Sequence, residues 1–292
     1  MESPFKRVAI LGAGLLGGSL AMALRSLRPD VHVRLWARRQ SVVKSAKLRD
    51  IADFCSCDLA EIVKGCDLIV FSTPVGVMLP LAEAILPSIA SAVVLTDVGS
   101  VKGFVHESLG SFCKDHSLIF VGSHPMAGSE KQGLEHASSK LFHDATVVVT
   151  GEESEELHKV KSFWLSVGSF CVHMSPEEHD KSVAAISHMP HAMAAICSMA
   201  AGDSGNSSEI GQLAAGGFRD TTRVAMGESS MWSEILMENS QAVMNSMKCC
   251  RERMDEFCEL LNQKDQKGLT FWLEQAGERR EEIIRSSTLP AD

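Results

Sequence analysis

The sequence has no tyrosine, although it carries twelve Phe and four Trp among 292 residues. No phenol is available as a proton donor, which excludes hydride transfer built on the Tyr/Lys pair of short-chain dehydrogenases. Positive charge is also short. Twenty-eight Lys and Arg face thirty-seven Asp and Glu, a formal net charge of −9, which argues against a nucleic-acid footprint. A C-x-x-C pair is missing too: the closest spacings among nine Cys are Cys55/Cys57 and Cys249/Cys250, neither of them a zinc or redox spacing. Reduced, mostly buried thiols in a cytoplasmic protein are expected instead. Residues 1–7 lead directly into a strand-like stretch with no signal h-region. No long apolar run is free of interruption. The least polar stretch, 68–98, holds Glu83 and Asp97 and is broken by Pro74, Pro80 and Pro87. It reads as strand, helix and strand rather than a membrane span.

What is present is an ordinary globular composition, 45% apolar and 22% charged. The length suits one large domain or two of moderate size. Apolar or β-branched runs at 7–11, 31–36, 68–72, 92–96, 118–121 and 146–150 alternate with stretches long enough for crossover helices, the first at 20–27. The run 169–173 has room for one more strand. This alternation predicts a doubly wound, mostly parallel α/β sheet covered on both faces. The character changes at Met174-Ser175-Pro176-Glu177-Glu178-His179-Asp180, where a cap, a first-turn Pro and two acids mark a helix start. Residues 1–174 are therefore read as an α/β domain and 175–292 as an all-α domain, which also holds most of the acidic excess. Residues 182–201 are too apolar for a surface helix and predict one buried inside the domain or in a subunit interface.

Gly12-Ala13-Gly14-Leu15-Leu16-Gly17 directly follows the first strand and opens a helix, the context that gives a G-x-G-x-x-G pattern its meaning. Gly12 permits the tight turn, Gly14 a close approach to pyrophosphate, and Gly17 close helix–strand packing. Leu15 and Leu16 then supply the first helical N–H groups. The second strand ends in Trp36-Ala37-Arg38-Arg39, with Ala37 where an NAD site usually has an acid. Two guanidinium groups suit a 2′-phosphate, so NADP is expected over NAD. Further polar segments fall at expected strand ends: Ser72-Thr73-Pro74, assigned to the cofactor, then 96–102 and 122–130. The helical half adds Ser187-His188-Met189-Pro190-His191 and 216–223.

Together these segments, continuing to Met231-Trp232, resemble the prephenate/arogenate dehydrogenase family of tyrosine biosynthesis in both order and spacing. The resemblance implies a Rossmann domain, a helical domain that dimerises, and an active site in the cleft between them. It further implies NAD(P)-dependent oxidative decarboxylation of a small carboxylate-bearing ring. His124 would be the catalytic hydrogen-bond acceptor on the ring hydroxyl, with Ser100 sharing that hydroxyl. Arg223 would bind a substrate carboxylate and His191 the substrate side chain, while Arg219, Gly216, Trp232 and Ser129 complete the pocket. His188 and His191 share a helix face, but without H-E-x-x-H or a cysteine pattern no metal is expected. Two alternatives remain at this level. One is a β-hydroxyacid dehydrogenase or imine reductase, which would rely on a helical-half Lys; only Lys181 lies between Ser175 and Lys248. The other is a non-catalytic NADP-binding protein, marked by loss of His124 or Arg223, both of which are present.

Overall fold

Residues of β1 (Arg7–Leu11) alternate between two apolar cores, Val8 and Ile10 entering one, Ala9 and Leu11 the other. The same split recurs in β4 (Leu68–Phe71), with Leu68 and Val70 against Ile69 and Phe71. A strand buried on both faces has no polar side, which is why these runs read as continuously apolar. The computed structural model describes residues 2–90, 92–128, 131–203, 205 and 207–285.

All pairings in the main sheet are parallel. β1 lies between β2 (His32–Trp36) and β4; β3 (Phe54–Ser56) flanks β2, and β5 (Val94–Asp97) joins β4 to β6 (Ile119–Phe120). The order is β3-β2-β1-β4-β5-β6. Helices α1 (Leu15–Leu27), α2 (Gln40–Leu48), α3 (Leu59–Val63) and α4 (Met78–Ile85) make the first connections. A helical stretch formed by α5 (Gly103–Val105), a π turn at His106–Gly110 and α6 (Ser111–Asp115) makes the last. The order reverses between β1 and β4, the switch point at which open α/β sheets bind ligands.

The structure departs from the single-sheet expectation after β6. Only Val121 separates β6 from β7 (Gly122–Pro125), too little for a crossover. The chain instead starts a second sheet, in which β7 pairs antiparallel with β8 (Thr146–Thr150) and β8 pairs parallel with β9 (Phe170–His173). α7 (Glu155–Ser166) connects β8 and β9 and packs on both. The short strand β3 has no sequence signal, since three residues carry no period.

Beyond β9 the described residues are helical: α8 (Pro176–Val183), α9 (Met189–Asp203), α10 (Ser207–Leu213), α11 (Gly216–Thr222), α12 (Ser229–Glu238), α13 (Ser240–Asn262) and α14 (Gln266–Arg285). Ser175 caps α8 through a reciprocal capping box with Glu178. A π turn at Ala184–His188 joins α8 to α9 just before Pro190; Pro lacks the N–H that a regular turn needs there. The expectation of a helix buried all round inside the domain is corrected. Within α9 only His191 and Ala194 are buried, while Ile196 and Met199 are exposed at 45% and 69%. The run Pro176–Asp203 is long and apolar enough to cross a membrane by length and composition. Yet it carries buried His179, Asp180, His188 and His191, groups engaged with the protein rather than with lipid. The thiols are also less buried than expected. All nine Cys are free, with Cys55, Cys66 and Cys113 buried and Cys57, Cys249 and Cys258 exposed. Burial pushes the Cys113 thiol up to about 12, a poor nucleophile at neutral pH.

Candidate active site

The glycine loop lies at the switch point. Gly12 has φ +122°, its N–H bonds Trp36 O at 3.1 Å, and a Cβ there would sit 2.3 Å from Ser72 O. A Cβ on Gly17 would fall 1.9 Å from Gly12 O. Gly14 is different, for nothing lies within 4 Å of where its Cβ would be. It is the N-cap of α1, with no side-chain cap bond, and Leu15 and Leu16 follow in the first turn. Across the crevice Ser72 Oγ and Thr73 Oγ1 are buried polar atoms without a hydrogen-bond partner. An uncapped helix start beside open space and orphaned hydroxyls fits a dinucleotide pyrophosphate. Pro74 begins the turn beyond them and is exposed. Arg38 and Arg39 follow β2, both exposed, with no ion pair among the described residues.

His124 lies on β7, buried, paired in register with Val148. Its Nδ1 is 2.8 Å from His179 Nε2, and His179 Nδ1 is 2.7 Å from Asp180 Oδ1. Asp180 also accepts from the backbone N–H of Lys102 at 2.7 Å and of Gly103 at 2.8 Å. Lys102 Nζ donates to Asp97 and, at 2.8 Å, to Ser123 O, the carbonyl preceding His124. Asp97 Oδ1 in turn accepts Ser123 N–H at 3.0 Å. Thus the end of β5 is tied to β7 from one side and α8 is tied to the same loop from the other. Ser100 lies half-buried in that loop, three residues beyond β5, which packs beside β7.

The helical half contributes a stack. His191, in the first turn of α9, lies parallel to Trp232 of α12 with ring centroids 3.6 Å apart and planes 11° apart. Its Nδ1 is buried without a partner. His188 meets the edge of Trp232 and sits 3.1 Å from Asn239 Nδ2, which also donates to Asp180 O. Arg223 ends α11 and begins a 3₁₀ turn, Arg223–Met226, that packs on α9. Arg219 and Gly216 lie on the exposed α11. Ser129 lies outside the described residues. From α12, Glu234 accepts the N–H of Gly76 at 2.5 Å, joining the helical half to the turn after Pro74. Among the described residues no group of three or more His, Cys, Asp or Glu is arranged to hold a metal ion. A shallow recess of about 430 Å³, lined by Arg7, His32, Arg34, Asp53, Phe54 and Lys64, opens near the start of β1 and β2, away from the glycine loop.

Sequence reasoning did not single out His179, Asp180, Lys102 and Asp97 for roles. A faint signal existed: a His-Asp pair just inside a capped helix whose continuation is apolar.

Burial sets the charge state of these histidines. His106 and His188 are pushed down to about 4, and His124 and His179 also lie below the ordinary value, each chiefly by desolvation. At His124 the nearby Lys102 ammonium adds to desolvation in disfavouring the imidazolium. These rings stay neutral in the fold but protonate in the unfolded chain near the ordinary imidazole value of 6.5. Between there and about pH 4 the unfolded state binds more protons, so stability falls as the pH falls. His106 and His188 each remove about 3 kcal/mol across that window. Urea unfolding at pH 7, 6 and 5 is expected to show a midpoint that drops at each step. A flat profile would contradict neutral burial.

Comparison with known proteins agrees with this arrangement. The family model "Prephenate dehydrogenase, nucleotide-binding domain" matches residues 20–173, and "Prephenate dehydrogenase, dimerization domain" matches residues 175–275. A cyclohexadienyl dehydrogenase of Zymomonas mobilis is 34% identical over 245 residues, spanning 82% of this chain and 83% of its own. The crystal structure of prephenate dehydrogenase from Aquifex aeolicus, in complex with hydroxyphenyl propionate and NAD+, superposes with a TM-score of 0.88 at 28% identity, covering 95% and 98% of the two chains. Arogenate dehydrogenase of Synechocystis gives 0.82 at 29% identity, covering 95% and 99%. With both family models matched in order and across most of its length, the chain belongs to the prephenate dehydrogenase family of oxidoreductases.

Proposed function

We propose that His124 is the acceptor for the ring-hydroxyl proton in the family's reaction, NAD(P)-dependent oxidative decarboxylation of prephenate, of arogenate, or of both. The observation that carries this is a buried, neutral His124 whose Nδ1 is already engaged by His179. A bound nicotinamide dinucleotide supplies the hydride acceptor. As hydride leaves the ring carbon that bears the hydroxyl, the O–H proton passes to the imidazole. The electron pair of the bond to the ring carboxylate then moves into the ring, CO2 departs, and the oxygen regains its proton as a phenol. A neutral imidazole suits both transfers near pH 7. Ser100, in the loop beside β7, shares the hydroxyl.

Arg223 and Arg219 hold carboxylates by bidentate hydrogen bonds, and the stacked His191 and Trp232 form the wall against the substrate side chain, with Gly216 at the start of α11 leaving room. Ser129 completes this set. Gly12, Gly14, Leu15, Leu16 and Gly17 with Ser72, Thr73 and Pro74 cradle the dinucleotide. Arg38 and Arg39 select NADP, supported by their exposure and lack of ion-pair partners among the described residues. The division at 174/175 places β9 in the nucleotide-binding part and the capped α8 in the other. Exposed Ile196, Met199, Leu213, Phe218 and Met226 support a homodimer formed through the helices. The nine free thiols suit a cytoplasmic setting.

The test is steady-state kinetics with prephenate and arogenate, each with NAD+ and NADP+. The wild-type chain is expected to turn over at least one substrate, with NADP+ the better acceptor. Replacing Arg38 and Arg39 with Ala should raise KM for NADP+ by at least tenfold, since each lost charge-assisted contact costs about 1.5–3 kcal/mol, and barely move KM for NAD+. Equal effects on the two dinucleotides would sink the assignment.

A further inference from the structure

We propose that His179, held by Asp180, is a positioning residue that fixes His124 in the tautomer with a bare Nε2. The inference deepens the reading of His124 as proton acceptor and rests on it.

The argument is one of hydrogen-bond direction. Asp180 accepts the backbone N–H groups of Lys102 and Gly103, one on each carboxylate oxygen. Burial alone would raise its pKa, but the His179 contact and these two N–H groups outweigh that and hold it below the ordinary value. It is therefore a carboxylate and can only accept. The 2.7 Å contact with His179 Nδ1 then requires Nδ1–H to donate. A neutral His179 has no second ring proton, so its Nε2 carries a lone pair. Across 2.8 Å that lone pair must receive a proton from His124 Nδ1. A neutral His124 is left with Nε2 unprotonated, and this nitrogen makes no hydrogen bond among the described residues. Each assignment forces the next, from a carboxylate that accepts N–H groups 77 and 78 residues away to a ring 55 residues from His179.

The direction matters for chemistry because the opposite tautomer would present N–H to the substrate hydroxyl and could not take its proton. When Nε2 does take the proton, the charge on His124 is shared along the Nδ1–H bond towards the Asp180 carboxylate, the same logic by which a buried Asp supports a catalytic His. The device also spans the two halves of the chain. His124 and Lys102 belong to the sheet-bearing part, whereas His179 and Asp180 lie on α8. Orientation of the acceptor thus depends on how α8 seats against the loop after β5.

The experiment compares His179→Leu, which removes the acceptor, with His179→Gln, whose amide oxygen can still receive the His124 proton. Turnover, substrate KM and NADP+ binding are measured for each, and 15N NMR of imidazole-labelled protein reports the His124 tautomer. His179→Leu is expected to lower kcat by about 100-fold, within the range for mispositioned acid–base groups, with substrate KM and NADP+ affinity within about twofold. His124 should then lose its Nδ1–H form. His179→Gln should restore at least about tenfold of the kcat loss and the tautomer with it. The double variant His124→Asn/His179→Leu should be no slower than His124→Asn alone, because residues acting as a unit are non-additive. Wild-type turnover and an unchanged tautomer in His179→Leu would overturn the proposal. So would equal losses in the Leu and Gln variants accompanied by a matching drop in NADP+ binding, which would mark a structural role. Full activity in His124→Asn would instead remove the acceptor reading itself and the proposal with it.

Discussion

His124→Asn is expected to lower turnover by about 10²–10⁴-fold, the range contributed by a positioned acid–base group, while nicotinamide-dinucleotide binding stays intact. Asn is chosen because its amide nitrogen can still donate towards His179 Nε2, preserving the hydrogen bond found at 2.8 Å in the native chain. What it removes is the basic nitrogen. The loss corresponds to about 3–5 kcal/mol of transition-state stabilisation at 1.36 kcal/mol per tenfold. The glycine loop and the Ser72–Pro74 turn are untouched, so dinucleotide binding, followed by fluorescence titration, should be unchanged. The pH profile provides a second check on the native enzyme. Desolvation, with His179, Lys102 and His188 nearby, holds His124 well below 6.5. Asp97 and Asp180 lie in the same cluster, each bonded to the Lys102 segment. A depressed pKa keeps the base form available to lower pH, so the acid limb of kcat/KM from His124 should lie below pH 6.5. Undiminished turnover in the Asn variant would take His124 out of the chemistry.

The second large effect is on stability. Lys102 and Asp97 form an ion pair in which both side chains are fully buried. Lys102→Met keeps the aliphatic stem and deletes the charge, leaving Asp97 buried without its cation. Breaking such a pair from one side costs about 3–5 kcal/mol, because the remaining charge cannot reach water. At roughly 2–4 °C per kcal/mol for a chain of this order of size, Tm should fall by on the order of 10 °C. Burial lowers the Lys102 pKa against the pull of Asp97, which measures how costly the site is for charge. Lys159→Met is the matched control. Its partner Glu155 is an exposed i,i+4 contact at 2.7 Å, and exposed pairs contribute about 0–1 kcal/mol. If thermal melts show equal shifts for the two variants, the buried pair does not hold β5 to β7. Lys102 also binds Ser123 O, the carbonyl next to His124, so turnover should fall further than melting alone explains.

The pair clarifies why the sheet stops where it does. After β6 a seventh parallel strand would need a crossover, and the chain supplies one residue. Asp97 at the end of β5 provides the acceptor for Ser123 N–H that a neighbouring strand would otherwise offer. Lys102 balances the charge this introduces. His124 is therefore carried on a strand held to the main sheet by side chains as well as by packing.

Much of this was legible in the amino-acid order. The strands at 7–11 and 146–150 agree with the structure to the residue, because a strand buried on both faces reads as a nearly unbroken apolar or β-branched run. The glycine loop is legible for a similar reason: φ +122° at Gly12 and the Gly17 approach to Gly12 O admit no side chain, and such steric demands are local. The capped start of α8 is another short-range signal, carried by Ser175 and Glu178 alone. The fate of residues 182–201 was only half legible. Apolarity announced that the helix would be covered, not by what, and within this chain most of α9 is not covered.

What tertiary structure decided is the wiring between these pieces. Composition and spacing establish which chemistry is available: no phenol, a dinucleotide loop, His124 behind a strand, two arginines after β2. They do so because steric fit, capping and residue type act over a few positions. They carry no information on His124 meeting His179 across 55 residues, or Asp180 reaching Lys102 across 78. Those contacts exist only once α8 is packed against the sheet-bearing part of the chain. Burial then lowers the pKa of His124, His179 and Lys102, since desolvation depends on what surrounds a side chain and not on its neighbours in sequence.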